Sequence, residues 1–88
     1  MGTIKEQVTD LLSLPKEVIL NLPQVTLTGR QEISIENYKG IIEFTDTLIR
    51  INTRCGILLI TGRNLRLKHI NIEYIIVIGD IGKLKYLR

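Results

Sequence analysis

Few residues in this 88-residue chain could carry out chemistry, and they are scattered along it. The single histidine, His69, has no second histidine, cysteine or carboxylate at the spacing that a metal site needs. The single cysteine, Cys55, follows Arg54, which would favour the thiolate, but no histidine accompanies it as a base. We therefore expect a surface histidine and an unreactive thiol.

The carboxylates of the central region are spread over predicted strand faces and turns, where solvated positions explain them better than a paired acid and base. They are Glu32, Glu36, Glu43 and Asp46. The chain also lacks a glycine-rich phosphate loop. The sequence therefore predicts no catalytic residue, no metal site and no cofactor, and we expect a protein that is not an enzyme.

Charge is distributed unevenly along the chain. Residues 1–48 hold four basic and seven acidic residues, whereas residues 49–88 hold eight basic and two acidic ones. Alternation turns five of the later basic side chains toward the polar side of their strands: Arg50, Arg66, Lys68, Lys83 and Lys85. Such a basic surface suits phosphates, but nucleic-acid platforms usually add clustered aromatic residues, which are missing here. An acidic protein surface or anionic lipid headgroups are the expected partners, and the alternative is a merely solvated face.

Composition indicates one small domain in a reducing compartment. Hydrophobic residues make up 44% of the chain, and one cysteine cannot form an internal disulfide. No apolar run approaches the roughly 18–20 residues of a membrane-spanning helix, and the start lacks a signal-peptide core. We expect a cytoplasmic protein without a transmembrane segment.

Residues 1–23 are predicted to form a helical lead-in. Thr3 and Glu6 fit a capping box, and the apolar residues that follow at helical spacing are Ile4, Val8, Leu11 and Leu12. Pro15 can begin a second short helix, which ends before Pro23. The first helix is too short to persist alone, so it either docks on the domain or binds a partner.

Residues 24–88 are predicted to form an all-β domain of seven or eight short strands separated by turns. Asn37–Gly40 fits a hairpin loop, and the run Ile75–Ile78 is apolar on both faces. This spacing is typical of a small antiparallel β-sandwich, and the alternative is a small closed barrel. The predicted inward set is Val25, Leu27, Ile33, Ile35, Ile42, Phe44, Ile49, Ile51, Leu58, Ile60, Leu65, Leu67, Ile76 and Ile78.

Two further patterns concern repetition and self-association. Thr28-Gly29-Arg30 recurs as Thr61-Gly62-Arg63, which indicates either a structural repeat or a chance recurrence of a turn sequence.

The predicted strand Ile75, Ile76, Val77 and Ile78 lacks the internal lysine or proline that would prevent an edge strand from pairing with another chain. If it lies at a sheet edge, pairing between copies would give a homo-oligomer.

The chain contains four sets of residues that are found together in a known family: Leu14–Val18 with Leu22–Gly29, Ile35–Phe44, Ile49–Thr53 with Gly56, and Ile60–Gly62 followed by Leu65–Leu67. Together they resemble the YabP/YqfC family of bacterial sporulation proteins, and its YqfC branch in particular. The resemblance covers nearly the whole chain, and its residues are structural rather than catalytic.

The resemblance implies a small protein made in the mother-cell compartment of an endospore-forming bacterium, with a role in the spore cortex or coat. It implies a structural or assembly factor, cytoplasmic or peripheral to the forespore membrane. A sporulation membrane protein or a coat or cortex assembly component would then be the partner. The alternative from the residues is a binding module that uses the basic surface on nucleic acid or anionic membranes, with nucleic acid the less expected ligand.

Overall fold

The computed structural model describes residues 22–87, which form a single antiparallel sheet without a helix. The strands are β1 (Gln24–Thr28), β2 (Glu32–Glu36), β3 (Gly40–Phe44), β4 (Leu48–Thr53), β5 (Gly56–Ile70) and β6 (Tyr74–Leu87). Their order across the sheet is β1-β2-β6-β5-β4-β3. The all-β prediction is confirmed. The helices predicted before Pro23 lie outside the described residues.

β5 and β6 are far longer than the sequence predicts. β5 has 15 residues and β6 has 14, and each takes in two of the predicted short strands. The predicted seven or eight strands are therefore wrong, and the structure has six among residues 22–87. Register shifts between Thr61 and Gly62 and between Arg63 and Arg66 absorb extra residues within the ladder, so β5 bends there instead of ending.

The long β5–β6 hairpin links two halves of the sheet, which we call the β1 half (β1, β2 and the hairpin near its turn) and the β3 half (β3, β4 and the hairpin near its open end). In the β1 half, β2 pairs with residues 74–78 of β6, and the other side of this β6 segment pairs with residues 66–70 of β5. In the β3 half, β4 pairs with residues 56–61 of β5, which also pairs with residues 83–87 of β6. β1 and β3 lie at the two ends of the strand order.

The core is built from both halves. Ten apolar residues with at most 6% exposure form one cluster: Ile33, Ile35, Ile49, Ile51, Leu58, Ile60, Leu65, Ile75, Val77 and Ile81. Residues on one face of a flat sheet could not all reach a single cluster. The sheet therefore curves until the two halves of its inner face pack against each other, and the burial of this set is the main favourable contribution to folding.

The predicted two-sheet sandwich and closed barrel are both wrong as topologies. All six strands belong to one sheet, which excludes two separate sheets. The sheet is open, because β1 and β3 do not pair with each other. Bulges in the long hairpin give the strong local bend that lets one sheet enclose a core.

Both short hairpins are anchored to the bend of the long one by backbone hydrogen bonds. The β1–β2 turn accepts from β6, with Gly79 N donating to Gln31 O at 3.1 Å and Ile81 N to Arg30 O at 2.8 Å. The β3–β4 turn accepts from β5, where Gly62 N donates to Thr47 O at 3.0 Å. These bonds satisfy amides that the bulges remove from the regular ladder.

The predicted inward set is confirmed for half of its fourteen members. Seven of its members are buried: Ile33, Ile35, Ile49, Ile51, Leu58, Ile60 and Leu65. Ile76 and Ile78 are not in the core, because Ile75 and Val77 face inward instead. Leu27, Ile42, Phe44 and Leu67 are 36–49% exposed, and Val25 is partly buried against the core. The run Ile75–Ile78 has no polar residue to mark its outer face, so alternation could not fix its register.

Residues Asn37–Gly40 do not form the predicted hairpin loop, because β2 and β3 lie in different halves of the sheet. Asn37 has a φ of 61°, and its amide N donates to Glu73 O at 2.9 Å. The Tyr38 hydroxyl donates to Asn71 O at 2.6 Å. The segment is therefore a crossover whose hydrogen bonds hold the β5–β6 turn in place. Asparagine suits position 37, because it adopts the left-handed backbone conformation more readily than most residues.

Thr53 closes the β4–β5 turn from a buried position. Its hydroxyl donates to Gly56 O at 2.7 Å and accepts from Cys55 N at 3.1 Å, with the residue 4% exposed. We expect Thr53→Val to lower the free energy of unfolding by about 1–2 kcal/mol, because both backbone groups lose a partner. Urea unfolding followed by circular dichroism would measure this. Thr53→Ser keeps the hydroxyl and should be less destabilising than Thr53→Val. The reverse order would mean that the methyl group matters more than the hydrogen bonds.

Candidate interaction surfaces

Two open clefts flank the bend of the long hairpin. The first, of about 570 Å³, includes Glu32, Arg66 and Asp80 in its lining, and the second, of about 480 Å³, includes Arg30 and Arg63. Arg30 Nη2 donates to Asp80 Oδ1 at 3.3 Å across an exposed pair. Neither cleft is lined by a histidine or cysteine among residues 22–87. The clefts therefore offer charges of both signs for polar contacts.

The five basic residues predicted to form one surface are divided between the two halves of the sheet. Arg66 and Lys68 lie on the outer face of the β1 half, where Arg66 pairs with Ile78. Arg50, Lys83 and Lys85 belong to the outer face of the β3 half. The two halves pack through their inner faces, so their outer faces look in different directions. Alternation predicted correctly that these side chains point outward, but the single surface does not form.

Ion pairs reduce the positive charge on both outer faces. Arg50 Nε lies 2.9 Å from Glu43 Oε1, and Lys68 Nζ lies 3.4 Å from Glu32 Oε1. Both pairs are partly exposed, so each contributes little to stability. Lys83 and Lys85 have no ion pair among residues 22–87. Arg66 has none there either, so Arg66 on one outer face and the two lysines on the other remain available to an anionic partner.

The predicted self-association edge Ile75–Ile78 is wrong, because this segment lies in the middle of the β1 half. Its backbone pairs with β2 on one side and with β5 on the other. Ile75 and Val77 are fully buried, and Ile76 and Ile78 are intermediate. A strand that is apolar on both faces suits a central position, where both faces and both edges are shielded.

The histidine and the cysteine lie at the surface, as the sequence predicts. The His69 ring stacks on Tyr74, with centroids 5.1 Å apart and planes 14° apart, and Cys55 is exposed in the β4–β5 turn. Partial burial raises the pKa of the Tyr86 hydroxyl, and the nearby Cys55 thiolate raises it further, because both disfavour the phenolate.

Apolar side chains extend beyond the core along the flanks of the inner face. In the β1 half, Leu27 pairs with Ile33 and Leu67 with Val77, so each flank residue continues a buried row. Leu27 is 49% exposed and Leu67 is 38% exposed, and Ile70 is 50% exposed in the next row. The sequence assigned Leu27 and Leu67 to the core, because local alternation cannot tell the centre of a sheet face from its flanks.

Within residues 22–87 the sheet has four free edges. β1 and β3 supply two of them, and β5 and β6 supply the others, because each long strand has neighbouring strands on both sides over only part of its length. β1 and residues 66–70 of β5 bound the β1 half. β3 and residues 83–87 of β6 bound the β3 half. Unpaired backbone groups on such edges can accept another strand unless a bulge, a charge or a proline prevents it. The edges and the apolar flanks are thus the surfaces best suited to contact another protein.

Within residues 22–87 no helix is long and apolar enough to cross a membrane. The same residues bring together no group of three or more histidine, cysteine, aspartate or glutamate side chains that could hold a metal ion.

Comparison with known sequences matches residues 21–88 to the YabP family. The chain is also 33% identical over 84 residues to the uncharacterized protein YqfC of Bacillus subtilis (strain 168). That alignment covers 96% of this chain and 90% of YqfC. The family match spans all six strands of the sheet. The chain therefore belongs to the YabP family.

Proposed function

We propose that this chain is a non-enzymatic structural or assembly factor of sporulation, which acts in the mother cell during formation of the spore cortex and coat. Membership of the YabP family and the similarity to YqfC support a role in sporulation. The observation that supports assembly is the surface of the sheet. Within residues 22–87 the sheet offers four free edges, and apolar flank residues such as Leu27 and Ile70 are about half exposed.

Proximity labelling in sporulating cells tests this proposal. The chain would replace YqfC in Bacillus subtilis, fused to a labelling enzyme expressed in the mother cell. We expect enrichment of a sporulation membrane protein or of a coat or cortex assembly component. A matched fusion carrying Leu27→Asp and Ile70→Asp should lose that enrichment while remaining folded, because both side chains are about half exposed. Enrichment no different from that of an unrelated cytoplasmic fusion would contradict the proposal.

A second candidate function is binding to an anionic membrane surface through the outer face of the β3 half. Lys85 and Arg50 lie in one cross-strand row, since both pair with Leu59, and Lys83 pairs with Thr61 in the next outward row. Two of these three cations have no ion pair within residues 22–87. The arrangement suits phosphate-bearing headgroups, which bind through charge rather than through specific contacts.

We expect anionic vesicles to bind the chain at low salt and neutral vesicles not to bind it. Binding should weaken steeply as salt rises, because each phosphate contact releases counterions. The double variant Lys83→Glu and Lys85→Glu should abolish binding, whereas Lys68→Glu, on the other outer face, should change it by less than about tenfold. Vesicle co-sedimentation over a salt series would measure these effects, with RNA as a parallel ligand. No binding to anionic vesicles at low salt would exclude this function.

A further inference from the structure

We propose that β1 pairs antiparallel with β1 of a second copy of this chain, which joins the two sheets edge to edge. The two-fold axis of this pair would pass beside Thr26. The inference concerns a different strand from the one that the sequence suggested for self-association, and it does not depend on the role in sporulation.

β1 is the one free edge within residues 22–87 that carries no protection against pairing. The β3 edge has a register shift between Ile41 and Glu43. The β5 edge has a register shift between Leu67 and His69, and it also carries Arg66 and Lys68. The β6 edge carries Lys83 and Lys85. Bulges and lysines are the devices by which natural edge strands avoid pairing.

β1 itself has an unbroken register of five residues, Gln24–Thr28, and none of them is charged. Pro23 precedes the strand and lacks an amide N–H, so it limits the paired segment at that end. The free edge of β1 therefore presents a short, regular row of backbone donors and acceptors.

The side chains of β1 are complementary to a second copy of themselves. An antiparallel pair centred on Thr26 places Val25 opposite Leu27 of the partner on one face and Gln24 opposite Thr28 on the other. Val25 and Leu27 lie on the inner face, since they pair with Ile35 and Ile33, and Leu27 is 49% exposed. Across the two-fold axis, four apolar side chains would meet and cover the exposed part of Leu27.

The other edges do not offer this self-complementarity. A two-fold pair centred in residues 83–87 of β6 places Lys85 opposite itself, and one centred in residues 66–70 of β5 does the same for Lys68. Like charges directly opposite each other destabilise a cross-strand pair. The choice of β1 therefore follows from charge as well as from the absence of a bulge.

The size of the contact predicts a reversible dimer. One five-residue strand pair with its flanking side chains buries less than the roughly 1,200–2,000 Å² of a stable complex. Sedimentation velocity of the full chain should therefore show a mass near 10.1 kDa when dilute and a rise toward twice that value at high micromolar concentration. A chain that stays monomeric over this range, or that grows beyond a dimer, would overturn the proposal.

Substitutions at Thr26 test the position of the axis. Thr26 is exposed on the outer face, so Thr26→Lys should fold normally while placing two positive charges opposite each other. We expect at least a tenfold weaker dimer. Asn52→Lys adds the same charge at an exposed position of β4, away from the β1 edge, and should leave the dimer unchanged. Equal effects of the two variants would overturn the proposal.

A charge-swap experiment separates this arrangement from any other contact near β1. Thr26→Lys and Thr26→Glu should each be monomeric alone, and an equal mixture should regain a dimer because opposite charges then face each other across the axis. Circular dichroism confirms that each variant is folded. A mixture that remains monomeric would place the two Thr26 positions apart and refute pairing centred on this residue.

Discussion

Replacing Gly79 by alanine is expected to lower the free energy of unfolding by about 3–5 kcal/mol. Gly79 has a φ of 144°, which L side chains rarely adopt, and a Cβ there would lie 2.7 Å from Asn64 O and 2.9 Å from Leu65 Cα. Those atoms belong to the backbone of β5 at its bend, so neither can move without disturbing the hairpin. The substitution thus adds backbone strain to a steric overlap.

Gly62→Ala should have a comparable effect, about 2–5 kcal/mol, for a steric reason alone. Its φ is not positive, but a Cβ would overlap the Asp80 carbonyl oxygen and press on Ile81 Cα at 3.2 Å. At both glycines the backbone of the other long strand leaves no room for a Cβ. Either alanine should therefore weaken the bend that brings the two halves of the inner face together.

Urea unfolding followed by circular dichroism would measure both losses, and a 3 kcal/mol loss moves the midpoint by about 1–3 M. Gly40→Ala is the matched control, because a Cβ at Gly40 meets nothing within 4 Å. It should change stability by less than about 1 kcal/mol. A Gly79→Ala variant as stable as Gly40→Ala would mean that β5 and β6 do not bend together at this point.

Replacing Ile75 by alanine is expected to cost about 2–5 kcal/mol, whereas Ile76→Ala should cost markedly less. Ile75 is fully buried in the core, while the neighbouring Ile76 is intermediate on the outer face. The two substitutions remove the same atoms from adjacent positions of one strand. Their difference therefore reports which face of β6 is turned inward.

Ile72→Ala completes this comparison, because Ile72 is 92% exposed in the β5–β6 turn and its loss should change stability by less than about 0.5 kcal/mol. The same unfolding measurement applies to all three variants. A larger loss for Ile76→Ala than for Ile75→Ala would restore the register predicted from the sequence, with Ile76 and Ile78 inward.

The strands with clear alternation could be predicted from the sequence. In β2, Glu32, Ser34 and Glu36 mark the outer face, and Ile33 and Ile35 are fully buried as expected. The same holds for Ile49 and Ile51 in β4. Side chains alternate between the faces of a strand with a period of two, so a polar residue at every second position suffices to assign both faces.

The candidate surfaces were predicted less well, because they depend on which strands become neighbours. Alternation placed Arg50, Arg66 and Lys85 correctly on outer faces, but strand order assigns Arg66 to a different half from the other two. Strand order also turned Ile75–Ile78 from an expected edge into a central segment and left β1 free. Nothing in the local sequence of β1 indicates that no other strand of residues 22–87 pairs with its outer side.

The sequence by itself determined the all-β class, the family and the two faces of β2 and β4, since all three depend on short stretches of the chain. Only the tertiary structure decided how the turn-like segments act. Thr28-Gly29-Arg30 is a hairpin turn with open space around Gly29, whereas Thr61-Gly62-Arg63 lies inside β5 with Asp80 against Gly62. The same three residues end one strand and bend another. The difference depends on whether a distant segment, here residues 80–83 of β6, continues the ladder on the far side of the glycine.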